Sequence, residues 1–136
     1  MMYDKETYHY IFLHFPIALF SVGYLFNVFA FFLKDELLDK FGFWNLGLGI
    51  ISGIISIITG FITDNVIVGH MTDPFPIWYT HGSHMIIAII IFYLFFILKF
   101  YWGSLIKDKY LLFLHTLLLL FFIHGTHIGA KLADRI

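Results

Sequence analysis

His9-Tyr10-Ile11-Phe12-Leu13-His14-Phe15-Pro16-Ile17-Ala18-Leu19-Phe20 opens an apolar run that continues to Leu33 and sets two histidines and a proline at its start. A run of this length covers the roughly 20 residues that a helix needs to cross a hydrocarbon core. The histidines are out of place in it. Their ring nitrogens find no partner in lipid, and ionisable residues inside a membrane are by default candidates for a functional site. What the inner histidine, His14, faces is therefore the question the rest of the chain must answer.

The chain has 136 residues, 60% of them hydrophobic and 12% charged, with a mean hydropathy of +0.88. A water-soluble globule of this size cannot bury that much apolar surface, so the chain is expected to be an integral membrane protein of one compact domain. It has no cysteine. Disulfides, thiolate ligands and covalent haem attachment are excluded, and metal chemistry would fall to His, Asp, Glu and Met. The eight histidines gain weight accordingly. A net charge of -1 and the lack of a basic run give no reason to expect nucleic acid or a headgroup-binding switch. The first residues, Met1 to Glu6, carry no net positive region and precede no small-x-small cleavage site, so the first run is expected to be retained.

Four apolar runs span residues 9–33, 44–63, 78–98 and 110–130. The stretches between them, 34–40, 64–77 and 99–109, are short or polar enough to join antiparallel neighbours. The fold expected is all-α, an up-down four-helix bundle in the bilayer. Lys34, Lys40, Lys99, Lys107 and Lys109 lie in the first and third connections, against Lys5, Lys131 and Arg135 at the termini. That bias puts both termini outside the cytoplasm, with the chain in the cytoplasmic (inner) membrane. Trp44, Trp78, Tyr79, Tyr101, Trp102 and Tyr110 stand near run ends, as an interfacial aromatic belt requires.

At a rise of roughly 1.5 Å per residue, His14, His81, His84, His124 and His127 fall on one side of the membrane at similar depth, where Asp64 closes the second run. His9, His70 and Asp73 form a rim above them. His81 and His84, and His124 and His127, are each spaced i,i+3, which places each pair on one helix face. Taken singly, each ring could simply bond a hydroxyl or a carbonyl. As a layer, they are able to converge on a ligand. His115 lies on the opposite side, and an interhelical hydrogen bond or a contact with a partner subunit is expected for it. Gly49, Gly53, Ser56, Gly60 and Asp64 form one stripe along the second run. The stripe has two readings, close helix approach or a slot for a flat cofactor. Pro16 also has two. It could begin the regular helix, or it could free the Phe12 carbonyl and turn His14 inward.

Three chemistries suit such a layer, and the first is the function expected: a b-type haem near the outer face that passes electrons to or from a partner or quinone. Haem b needs two opposed imidazoles and a flat slot; His14 with His84 or His81 would serve, with His124 or His127 able to replace either. A Zn, Cu or Fe ion could be held by His14, His84, His124 and His127, with Asp64 as a further ligand or as the acceptor that orients one, and with His9 and His70 supporting from outside. Without any cofactor, the histidines and Asp64 could relay protons or bind a quinol headgroup. Redox subunits in the membrane or periplasm, and quinone, are the partners these chemistries imply. A structural subunit with hydrogen-bonded histidines is the remaining alternative. No GxSxG, P-loop or HExxH is present.

The pattern His9-x4-His14-Phe15-Pro16-Ile17-Ala18-Leu19, then Thr59-Gly60-Phe61 with Asp64, His81-Gly82, and Gly125-x3-Gly129 before a short polar tail, resembles the domain-of-unknown-function family 2231. The similarity runs through nearly the whole chain, and its specific part is His14-Phe15-Pro16-Ile17. Tyr10 stands where that family usually has proline. The resemblance implies a small four-helix membrane protein. Relatives that look fused to cytochrome c domains imply membrane electron transfer, a carry-over that would cover His14, His81 and Asp64.

Overall fold

The computed structural model describes residues 5–63 and 81–132. Over them the chain forms four long helices, α1 (Lys5–Leu33), α2 (Glu36–Thr63), α3 (His81–Trp102) and α4 (Asp108–Leu132), with a 3-10 turn at Gly103–Leu105 and no strand among the described residues. All four are long and apolar enough to cross a membrane. A helix satisfies its own backbone, as a hydrocarbon medium requires.

Two residues join α1 to α2. Lys34 reverses the chain at φ 53°, and Asp35 caps the next helix, its Oδ1 accepting the N–H groups of Leu37 at 2.8 Å and Leu38 at 3.2 Å. Residues 36–40, read from their polarity as connection, are therefore the first turn of α2. The cap starts the helix before hydropathy would. Asp35→Ala is expected to cost about 1 kcal/mol of stability, read as a lower melting temperature in detergent. An unchanged melting temperature would remove Asp35 from this role.

α1 packs most closely on α2, and contacts between α2 and α3, α3 and α4, and α4 and α1 close the ring. The α1–α2 pair is antiparallel: Gly23 lies against Asn45, Phe20 against Gly49 and Pro16 near Gly53. Gly49 and Gly53 leave the space that Phe20 and Ile89 fill, so at these positions the small stripe serves close approach. Pro16 sits well inside α1 and does not begin it. Its missing N–H leaves the Phe12 carbonyl without its helical donor, and the Ser56 hydroxyl of α2 lies 2.9 Å from that oxygen. The same hydroxyl lies 3.0 Å from the Ser52 carbonyl of its own helix, so its one proton is shared and the lost backbone bond is replaced only in part.

At mid-depth the bundle is closed by phenylalanine. Phe20, Phe92 and Phe122 are fully buried. Phe20 stacks on Phe92 with centroids 4.0 Å apart, and Phe122 meets both edge-on at 5.0 and 6.0 Å. Large apolar side chains such as Phe32, Trp44 and Leu105 cover the outside, at 72%, 65% and 79% exposure. This is the surface that lipid covers.

Candidate functional site: polar networks at the two ends of the bundle

The histidines expected at one depth divide by direction. Along α1 the buried positions are Pro16, Phe20, Gly23, Asn27 and Ala30, and at about 100° per residue that stripe runs back through His9. His14 lies on the opposite side and is exposed, as are His124 and His127 on α4. The inward rings are those of His9, His81 and His84. His124 stays near this group, its ring centroid 5.4 Å from that of His84. Asp64 and His70 lie outside the described residues. Among the described residues, no three His, Asp or Glu side chains are gathered closely enough to hold a metal ion.

Each inward ring makes a hydrogen bond to a neighbouring helix. Thr59 Oγ1 lies 3.0 Å from the Ser56 carbonyl, to which it donates, so His9 Nδ1, 3.2 Å away, donates to the Thr59 oxygen. His81 Nδ1 donates to the Gly125 carbonyl at 2.9 Å, and His84 Nε2 to that of Phe121 at 2.9 Å. In the neutral ring of His9 and of His81 these bonds fix the tautomer, with the proton on Nδ1 and the lone pair on Nε2. His9 and His81, and His81 and His84, lie within electrostatic reach of one another. The three rings thus share one end of the bundle, His9 from α1 and His81 and His84 from α3.

Glycine makes the room for them. A Cβ on Gly60 would meet the His9 ring at 3.1 Å, one on Gly129 the His81 ring at 2.5 Å, and one on Gly125 the His84 ring and the Met85 sulfur. The gaps that a macrocycle would need at Gly60, Gly125 and Gly129 are taken by imidazoles. This arrangement does not fit a haem enclosed between these helices of one chain.

A second network lies at the other end, where the two short connections are. Lys99 Nζ sits 2.6 Å from Asp39 Oδ1, and Asn27 Nδ2 donates to the same oxygen at 2.9 Å. Since a carboxylate only accepts, the Asn27 amide must turn its Oδ1 toward His115 Nδ1, 3.0 Å away, and that nitrogen donates. All four helices contribute one member. His115 thus makes the interhelical bond expected of it, but within a network whose other members escaped the sequence reading. Asn27 was the available signal, a polar residue seven positions from Phe20 on the inward stripe of α1. Beside this network the Tyr24 hydroxyl meets Thr116 Oγ1 at 3.0 Å.

These features define an integral membrane four-helix protein with a polar network toward each face and an aromatic layer between. The chain belongs to the DUF2231 family of predicted membrane proteins, whose model matches residues 5–136. Comparison with curated proteins and with solved structures finds no match.

Proposed function

We propose that the chain is a proton-relay protein of the cytoplasmic membrane, with both termini outside the cytoplasm and the His9–His81–His84 layer exchanging protons with the face nearest the termini. The observation that carries this reading is that His9 and His81, from different helices, each spend Nδ1 on the fold and keep Nε2 as an acceptor. Imidazole is the side chain whose charge changes near neutral pH, and a ring already held by one nitrogen can take a proton on the other without moving. The relay would serve a redox partner or a quinol in the same membrane.

The test is time-resolved infrared spectroscopy of the protein in lipid nanodiscs after a light-triggered drop in pH. The parent is expected to develop imidazolium bands, part of which disappear in His9→Gln and His81→Gln. Identical bands in parent and both variants would sink the proposal.

A second reading concerns the outward histidines. His14, His124 and His127 point away from the core, where lipid cannot satisfy them, so another membrane subunit is proposed to cover them. A haem b or a Zn, Cu or Fe ion bound by these residues would lie between chains. An absorption spectrum of the purified protein before and after dithionite, with metal analysis on the same sample, tests this. A sharp reduced α band that is lost in His14→Ala is the result expected for haem.

A further inference from the structure

A cavity of about 810 Å³ opens at the end of the bundle that holds the two short connections. Both connections contribute to its lining, where the membrane-crossing stretches end at Leu33 and Leu105 and begin again at Glu36 and Asp108. That is the level at which a bilayer passes from hydrocarbon to headgroups. Phe31 and Phe32 belong to the same lining, and Phe32 is 72% exposed on the lipid-facing surface. The cavity therefore reaches the outside of the bundle as well as its end.

The lining is rich in charge of both signs. Lys34, Lys40 and Lys99 supply three ammonium groups, and Asp35, Glu36, Asp39 and Asp108 supply four carboxylates. Lys99 and Asp39 pair with each other, and among the described residues no other ion pair forms. Asp35 spends one oxygen on the start of α2. Lys34, Lys40, Glu36 and Asp108 are exposed and unpaired. Opposite charges that surround one cavity without meeting are available to a ligand that carries both. With the Lys99–Asp39 pair set aside, two ammonium groups stand against three carboxylates, so the surplus is negative. A purely anionic group is disfavoured, and a phosphate is accepted only together with a cation.

We propose that this cavity holds the headgroup of a phosphoethanolamine lipid, its phosphate on the side of Lys34 and Lys40 and its ammonium donating to Glu36 and Asp108. A primary ammonium offers three N–H donors, and charge-assisted hydrogen bonds to carboxylates are the strong ones. A choline headgroup carries the same charges but no N–H, and a glycerol headgroup lacks the cation. The acyl chains lie along the lipid-facing surface beside Phe32. The site is separate from the His9–His81–His84 layer and does not depend on that layer's proposed role.

Native mass spectrometry of the full chain in detergent, with dioleoyl lipids added at equal concentration, measures the preference. The phosphoethanolamine lipid is expected to be retained at one per chain, about tenfold more tightly than the phosphocholine and phosphoglycerol lipids, the value of a hydrogen bond to a charged group. Glu36→Gln combined with Asp108→Asn, which leaves the Lys99–Asp39 pair intact, is expected to bring retention down to the phosphocholine level. Ser104→Trp fills the cavity from the exposed 3-10 turn and changes no charge; it is expected to abolish the preference. It serves as the decisive variant if losing two carboxylates at helix starts disturbs the fold. Glycerophosphoethanolamine, the headgroup without its chains, is expected not to compete at the same concentration. Four results would each overturn the proposal: equal retention of the three lipids, a preference for phosphoglycerol, a preference that persists in Ser104→Trp, or displacement of the lipid by glycerophosphoethanolamine.

Discussion

Gly49→Val is expected to cost about 3 kcal/mol, enough to lose the single well-ordered bundle, because overpacking a close-packed interior forces either backbone shift or strained rotamers. The Cβ alone would lie 2.6 Å from the Phe20 ring, and Phe20 cannot retreat. Its other face is stacked on Phe92 at 4.0 Å, and the edge of Phe122 closes the site. Strain at Gly49 is therefore passed from the α1–α2 pair to α3 and α4. Unfolding in a graded series of SDS–detergent mixtures measures it. Phe20→Ala in the Gly49→Val background is expected to recover part of the loss by opening the space the new side chain needs. A parent-like unfolding midpoint for Gly49→Val alone would show that the contact is not rigid.

Asp39→Ala is expected to have the second largest effect, about 2 kcal/mol, in the range of a hydrogen bond to a charged group. Asp39 is itself half-exposed, which limits the Coulombic part of the loss by solvent screening. The larger share comes from what is left behind. Lys99, only 10% exposed as a side chain, keeps its charge without a counter-ion, and Asn27 loses the acceptor that orients its amide. Removing one partner of such a pair costs more than removing both. Lys99→Met added to Asp39→Ala is accordingly expected to restore stability toward that of the parent. If the double variant were less stable than Asp39→Ala, the uncompensated ammonium would not be the cause. Nitrogen-15 spectra of the same variants should show His115 losing its single tautomer, since a freed Asn27 amide can present either end.

Much of the fold was legible because lipid imposes it. Four apolar stretches of membrane-spanning length in a short chain admit few arrangements, and four apolar helices long enough to cross a membrane are what forms. Boundaries were less legible. The start of α2 is set by the Asp35 cap and the turn at Lys34, which a hydropathy window averages away. The site was half legible, and the reason is geometric. Depth follows from counting residues, and it put His14 and His81 at one level. Direction around the helix axis must come from a contrast between faces, and in a membrane the lipid side is as apolar as the core. For α1 the contrast survives only in its small and polar residues. Gly23, Asn27 and Ala30 mark the inward face, and their stripe leads to His9, not to His14. On α4, Gly125 and Gly129 mark the same thing, as seats for His84 and His81, while His124 and His127 fall outside it. The network around His115 was missed for another reason. Its members are scattered over four helices, and Asp39 and Lys99 read separately as connection charges.

The stack of Phe20, Phe92 and Phe122 has an electrical meaning. It lies between the two polar networks and contributes no donor or acceptor, so an ion passing from one end to the other would have to shed its hydration with nothing to replace it. The folded bundle is thus an insulator at mid-membrane. Charge placed in either network is kept from the other by the rings between them.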